Sequence, residues 1–234
     1  MAKLNNYTDA SFEKAQARIN GAVSCAANGQ ERVLHVGTAN GKTSAVNEGT
    51  SPLVTCSEYA CRTCGRKCYA VWHIDNRLTA ARRNHAENTI YRRMDPVTYY
   101  REFFQAAEKA GTFLRINETG DFENVEQARA FASVARQFPS VRVIGYTRRP
   151  ELAETVATFP PSVSVRYSQF TDADIPSAVL AAGIKTCRVS ETENTSTCPS
   201  QIAKAKGLKW TCADCVAHNC GCFGPKSEIV FEGH

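Results

Sequence analysis

The chain has 234 residues, 43% of them hydrophobic and 22% charged, with a formal net charge of +5. That balance supports a sizeable core and excludes a disordered or strongly polyionic chain. No run of about 18 apolar residues occurs, so no helical membrane span is expected. The opening MAKLNNYTDASFEKAQ has no apolar stretch of the signal-peptide kind, which makes the cytoplasm the expected location.

Taken in order, a weakly amphipathic stretch predicts a helix around Asp9–Ile19. Glu31–Ala39 alternates apolar and polar residues and predicts a first strand. A loop rich in Gly, Asn, Ser and Thr then leads to Cys56. Tyr69–Tyr91 is rich in helix formers, and Pro96–Gly111 reads as a helix with Pro in its first turn and Gly at its end. Thr112–Phe122 predicts a strand that breaks at Gly120, and Glu123–Pro139 a helix. Strands at Val141–Pro150, Ser162–Phe170, Ile184–Glu193 and Ser227–His234 follow, with helices at Glu151–Pro160 and Ile175–Gly183 between them. This alternation implies a parallel sheet with helices packed outside. About six strands in one α/β domain over residues 1–234 suit a partial or irregular (β/α) TIM-barrel-like fold better than a flat doubly wound sheet.

Of the 11 cysteines, nine fall in two groups. Cys56, Cys61, Cys64 and Cys68 have the spacing C-x4-C-x2-C-x3-C within one short basic segment. Cys198, Cys212, Cys215, Cys220 and Cys222 form the second group. Thiolates this close can converge on one metal centre. An odd count, dense grouping and no export signal fit disulfides poorly. The spacings point to iron–sulfur, of the [4Fe–4S] type and one or two per chain, with zinc as the alternative. Radical S-adenosylmethionine enzymes use C-x3-C-x2-C, whereas here the order is reversed, Cys61-x2-Cys64-x3-Cys68. A three-thiolate site with one open iron then requires that one of the four N-terminal cysteines not ligate. His218 is the one histidine placed to replace a cysteine, and Cys25 and Cys187 stand alone as small core residues.

Polar residues at strand carboxyl ends are candidate site groups in barrels. Glu118, Asp121 and Arg148 are the catalytic candidates, and Thr119, Gly120 and Tyr146 the cofactor-binding ones; Ser190 and Glu191 end a later strand in the same way. The competing reading of Asp121 is a cap for the helix near Glu123, with Gly120 making the turn. The pairs Arg82–Arg83, Arg92–Arg93 and Arg148–Arg149 either form solvated faces or contact phosphates. They make a zinc-stabilised nucleic-acid module the alternative function. A redox partner or a small-molecule ligand is the partner expected of the cluster-binding reading, and no membrane is expected.

Several short motifs occur in a recognisable order. They are C-x3-C-Y-A at Cys64–Ala70, R-R-N at Arg82–Asn84, T-G-D-F at Thr119–Phe122 and G-Y-T-R at Gly145–Arg148. C-P-S-Q at Cys198–Gln201, C-A-D-C at Cys212–Cys215 and the terminal I-V-F-E-G-H follow. The set resembles the gene product 88 family of bacteriophage proteins. The resemblance implies a phage origin, and so a host-cell cytoplasmic location, with metal-ligating cysteines near both ends. It also implies a barrel-like fold akin to radical S-adenosylmethionine proteins, and it supplies no reaction. Cys61, and the presence of both Cys220 and Cys222, depart from the family pattern.

Overall fold

The computed structural model describes residues 8–29, 32–37, 45–64, 68, 70–71, 79–170, 175–190, 192 and 195–232. The strands are β1 (Val46–Asn47), β2 (Leu114–Ile116), β3 (Val143–Thr147), β4 (Val163–Phe170), β5 (Thr186–Ser190) and β6 (Glu228–Glu232). The helices are α1 (Asp9–Gly29), α2 (Glu58–Cys64), α3 (Thr79–Met94), α4 (Pro96–Lys109), α5 (Val125–Ala135), α6 (Ala153–Ala157), α7 (Ser177–Ala182), α8 (Pro199–Ala205) and α9 (Cys212–Ala217).

The strands lie in the order β1-β2-β3-β4-β5-β6, and each neighbour pair is parallel. The order never reverses, so the sheet has no switch point of the doubly wound kind. The sheet is open: among the described residues, β1 and β6 do not pair. The parallel α/β architecture is as expected, whereas closure into a barrel is not part of this structure.

Alternation along the strands divides the sheet into two faces. Leu114, Ile116, Val143 and Val165 pack under α4 and α5, whose Tyr99, Tyr100, Phe103, Phe104 and Phe131 are all fully buried. These rings meet edge-on or tilted, as in Tyr100–Phe131 at 5.2 Å and Phe104–Phe131 at 5.6 Å. Asp95 caps α4 by accepting the Thr98 N–H at 3.1 Å, and Pro96 opens it, as its sequence predicts. On the other face, Ile144 packs with Phe113, Cys215 and Phe223, so the C-terminal cysteine segment lies against the sheet. The rings of Tyr146 on β3 and Phe231 on β6 are 6.2 Å apart. Three strand spacings would separate them by about 14 Å across a flat sheet, so this face is concave.

The first strand differs from expectation. Residues 32–36 are not a strand; Gly37 makes only an isolated bridge to Asn47. The edge position belongs to Val46–Asn47, within the stretch read as loop. Two residues carry no period to read; their place comes from pairing with Leu114 and Arg115. The first helix also runs further than expected, to Gly29, and carries Cys25 on its exposed side rather than in the core. Part of the Tyr69–Tyr91 helix expected from sequence, at 69 and 72–78, lies outside the described residues, as do Glu191, His73 and His234.

Candidate metal centre

The chain leaves the carboxyl end of β1 into a segment held from two sides. Glu48 N–H donates to Arg115 O and Glu118 N–H to Glu48 O, at 2.8 and 3.0 Å. The Asn88 amide of α3 donates to Gly49 O at 3.0 Å, and Ser51 N–H donates to the Thr89 hydroxyl at 2.9 Å. Cys56 follows directly, and Cys61 and Cys64 sit one turn apart on α2, on one helix face.

The four thiols bias one another. Burial pushes Cys56 up to about 12, with Asp121, Cys68 and Cys61 adding to the effect. Burial also raises Cys61, helped by the charge of Cys68 and opposed by Arg149. Cys64 is raised chiefly because its thiol donates to Cys68. Cys68 falls to about 6 because it accepts that bond, and the N–H groups of Val71 and Ala70 and the charge of Arg148 act in the same direction. The opposite shifts of Cys64 and Cys68 reflect one hydrogen bond between their sulfurs.

The polar residues at the ends of β2 and β3 complete the site. The Arg148 guanidinium donates to Cys64 Sγ, and Arg149 Nη2 donates to Thr55 O at 3.0 Å. Asp121 is buried; its carboxylate accepts the Arg148 N–H at 2.8 Å, the Thr147 hydroxyl at 3.2 Å and the Phe122 N–H at 2.8 Å. Burial nevertheless pushes Asp121 up to about 6. Asp121 does not cap the following helix: Asn124 does, accepting the Gln127 N–H at 2.9 Å. Gly120 has φ +76° and would press any Cβ onto the hydroxyls of Thr50 and Thr55, so its place is a close approach of two chain segments. Thr119 donates its hydroxyl to Thr50 O at 2.9 Å. Glu118 pairs with Arg115 at 3.1 Å.

Tyr146 faces the second cysteine group, with its hydroxyl 3.3 Å from Cys222 Sγ. Burial pushes Cys222 up to about 11 and Cys215 up to about 12. Trp210 Nε1 donates to Cys215 Sγ at 3.2 Å. Cys187 on β5 is buried as expected but does not stand alone, since the charge of Cys222 helps burial push it to about 12. His218 is exposed, with Nδ1 2.9 Å from Asp214 O, and its ring lies against Trp210.

Two site-supporting residues are not among the sequence candidates. Glu48 is fully buried and accepts the Tyr99 hydroxyl at 2.7 Å and the Asn117 N–H at 2.8 Å, with Arg92 at 3.5 Å. Arg166, at the centre of β4, is fully buried too. Apolar flanks and one charge within a strand are what could have marked it.

No group of three His, Cys, Asp or Glu among the described residues is set to hold a metal ion.

An open, sequentially ordered parallel α/β sheet, with one cysteine group at its carboxyl edge and another on its concave face, defines the class of this protein. Residues 12–223 match the family model described as Gene product 88, and the chain belongs to that family. No curated protein and no solved structure matches it.

Proposed function

We propose that the chain is a phage-encoded iron–sulfur protein. Cys56, Cys61, Cys64 and Cys68 hold a cluster of the [4Fe–4S] type beside Asp121, Arg148 and Arg149. The observation that carries the reading is the Arg148–Cys64 contact. It joins the strand ends, where parallel α/β proteins place their sites, to a cysteine segment far from them in sequence. In this reading the sheet is a partial barrel akin to that of radical S-adenosylmethionine proteins, and its concavity supports that.

When bound, the cluster supplies one-electron chemistry, or Lewis acidity if one iron is left without a thiolate. The residues of the chain hold and bias it. Arg148 and Arg149 offset thiolate charge, and Asp121 fixes the backbone from which Arg148 extends. Thr55 ties Cys56 to the loop after β2 through its hydroxyl, which accepts the Asp121 N–H at 3.2 Å.

The nucleic-acid alternative draws less support from the arginine pairs. Arg92 is fully buried, Arg93 pairs with Glu123, and Arg148 and Arg149 turn to the cysteine segment. Iron, sulfide and zinc analysis of anaerobically purified protein, with an absorption spectrum, tests the reading. Matching iron and sulfide with a broad band near ~400 nm are expected. Stoichiometric zinc in a colourless protein would replace it with the zinc-stabilised module.

A further inference from the structure

We propose that the C-terminal cysteines form a second metal–thiolate centre of their own, with the buried Arg166 as its internal counter-charge. The ligands are Cys198, Cys212, Cys215 and Cys222, and Cys220 stands beside Cys215. The proposal rests on the cluster-binding reading above and deepens it from one centre to two.

Tyr146 lies in β3 and Arg148 directly after its end, two residues or about 7 Å apart along the chain. Tyr146 meets Cys222, and Arg148 meets Cys64. The two groups therefore approach the sheet at successive positions, one on its concave face and one at its carboxyl edge.

Nε of Arg166 donates to Cys222 O at 3.1 Å, and Nη1 to the carbonyls of Thr186, Lys226 and Ser227 at 3.2, 3.1 and 3.4 Å. Nη2 reaches Gly221 O and Gly224 O, each at 3.4 Å. Lys185 Nζ adds a second cation on Gly224 O at 2.8 Å. Among the described residues no carboxylate pairs with Arg166. A guanidinium with no exposure and only carbonyl dipoles around it is costly unless negative charge lies close by. The groups beside it able to supply that charge are the thiols of the segment it holds. As thiolates on a metal centre they would carry it; as neutral thiols they would leave the cation uncompensated.

Two of these sulfurs already meet hydrogen-bonding side chains. Trp210 donates to Cys215 Sγ, and the Tyr146 hydroxyl lies against Cys222 Sγ. Gly221, at φ +54°, lets the chain pass so closely that a Cβ there would lie 3.1 Å from Cys215 Sγ. Hydrogen bonds to sulfur are what tune a thiolate-ligated centre.

The test is metal content per folded chain in anaerobically purified full-length protein. Cys64→Ser, Cys212→Ser and the double variant are compared, with circular dichroism confirming the fold. Each single change should lower metal about twofold, and the double change should remove it. Full metal in Cys212→Ser, or complete loss with the fold intact, would overturn a separate second centre. Full metal in Cys64→Ser would instead sink the N-terminal reading and leave this one standing.

Arg166→Lys keeps the charge and Arg166→Gln removes it. The Gln variant should lose most of the metal left by Cys64→Ser, and the Lys variant should keep it; equal loss in both would reduce Arg166 to a tether for carbonyls. Lys185→Gln spares the fold because its side chain is only partly buried. It should shift the midpoint potential of the C-terminal centre to a more negative value, and an unchanged potential would overturn the counter-charge.

Discussion

Asp121 accepts the backbone N–H of Arg148 at 2.8 Å, so the residue that closes the loop after β2 fixes the one whose guanidinium meets Cys64. That carboxylate is raised from 3.8 to about 6 by burial. A raised folded-state value means that the protonated form is favoured by folding. Its contribution to stability is therefore complete below about 4 and is lost as pH rises through about 6. At about 1.4 kcal/mol per unit the loss is on the order of 3 kcal/mol. Denaturant unfolding of wild type between pH 5 and 7 should show this decline, and Asp121→Asn should flatten it. A wild-type slope that survives in Asp121→Asn would remove Asp121 as its source.

Gly120→Ala separates turn geometry from chemistry. Alanine at φ +76° is strained, and its Cβ would drive apart the Thr50 and Thr55 hydroxyls, which lie 3.1 Å from each other. A cost of about 2 kcal/mol or more is expected, concentrated on the segment that delivers Cys56. The variant should lose N-terminal metal while keeping the C-terminal share, as read by iron analysis beside Cys64→Ser. Equal loss from both groups would show that Gly120 supports the whole sheet.

Glu48 and Arg92 form a fully buried pair at 3.5 Å, and Arg92 Nη2 also donates to Asp121 O at 2.6 Å. Removing one partner of a buried pair strands the other charge, at a typical cost of about 3–5 kcal/mol. Glu48→Ala should therefore lower the thermal midpoint by about 6–20 °C for a chain of this size. Glu48→Gln, which keeps acceptors for the Tyr99 hydroxyl and the Asn117 N–H, should lose less. Similar midpoints for the two variants would mean that the charge is not what Arg92 needs.

Much of this fold is legible where residues repeat with a period. Pro96–Gly111 and Glu123–Pro139 show apolar residues at helical spacing, and β3 to β6 show strand-forming runs between turn residues. β1 was not legible because two residues have no period and because their pairing partners lie more than sixty residues away. The nine grouped cysteines and the T-G-D-F and Y-T-R strand ends were visible as residue types. That Arg148 would meet Cys64, and Tyr146 Cys222, depends on which strands neighbour one another, which only the sheet order supplies. Glu48 and Arg92 carry no local mark of burial, since their partners lie far away in sequence, whereas Arg166 stands as one charge between apolar strand residues.

Cys25 offers a clean internal control, because α1 carries it exposed while Cys187 is buried and the other nine fall in the two groups. A thiol reacts according to its exposure and its thiolate fraction, and metal ligation blocks it altogether. Native protein treated briefly with an alkylating reagent near pH 7.5 should be labelled at Cys25 alone, as read by peptide mass spectrometry. Cys25→Ser should then show no label and an unchanged metal content. Chelation followed by the same treatment should open cysteines of both groups and still spare Cys187, which only unfolding exposes. Early labelling of Cys198, Cys212 or Cys222 in untreated protein would argue that the C-terminal thiols are free, and would count against a metal there.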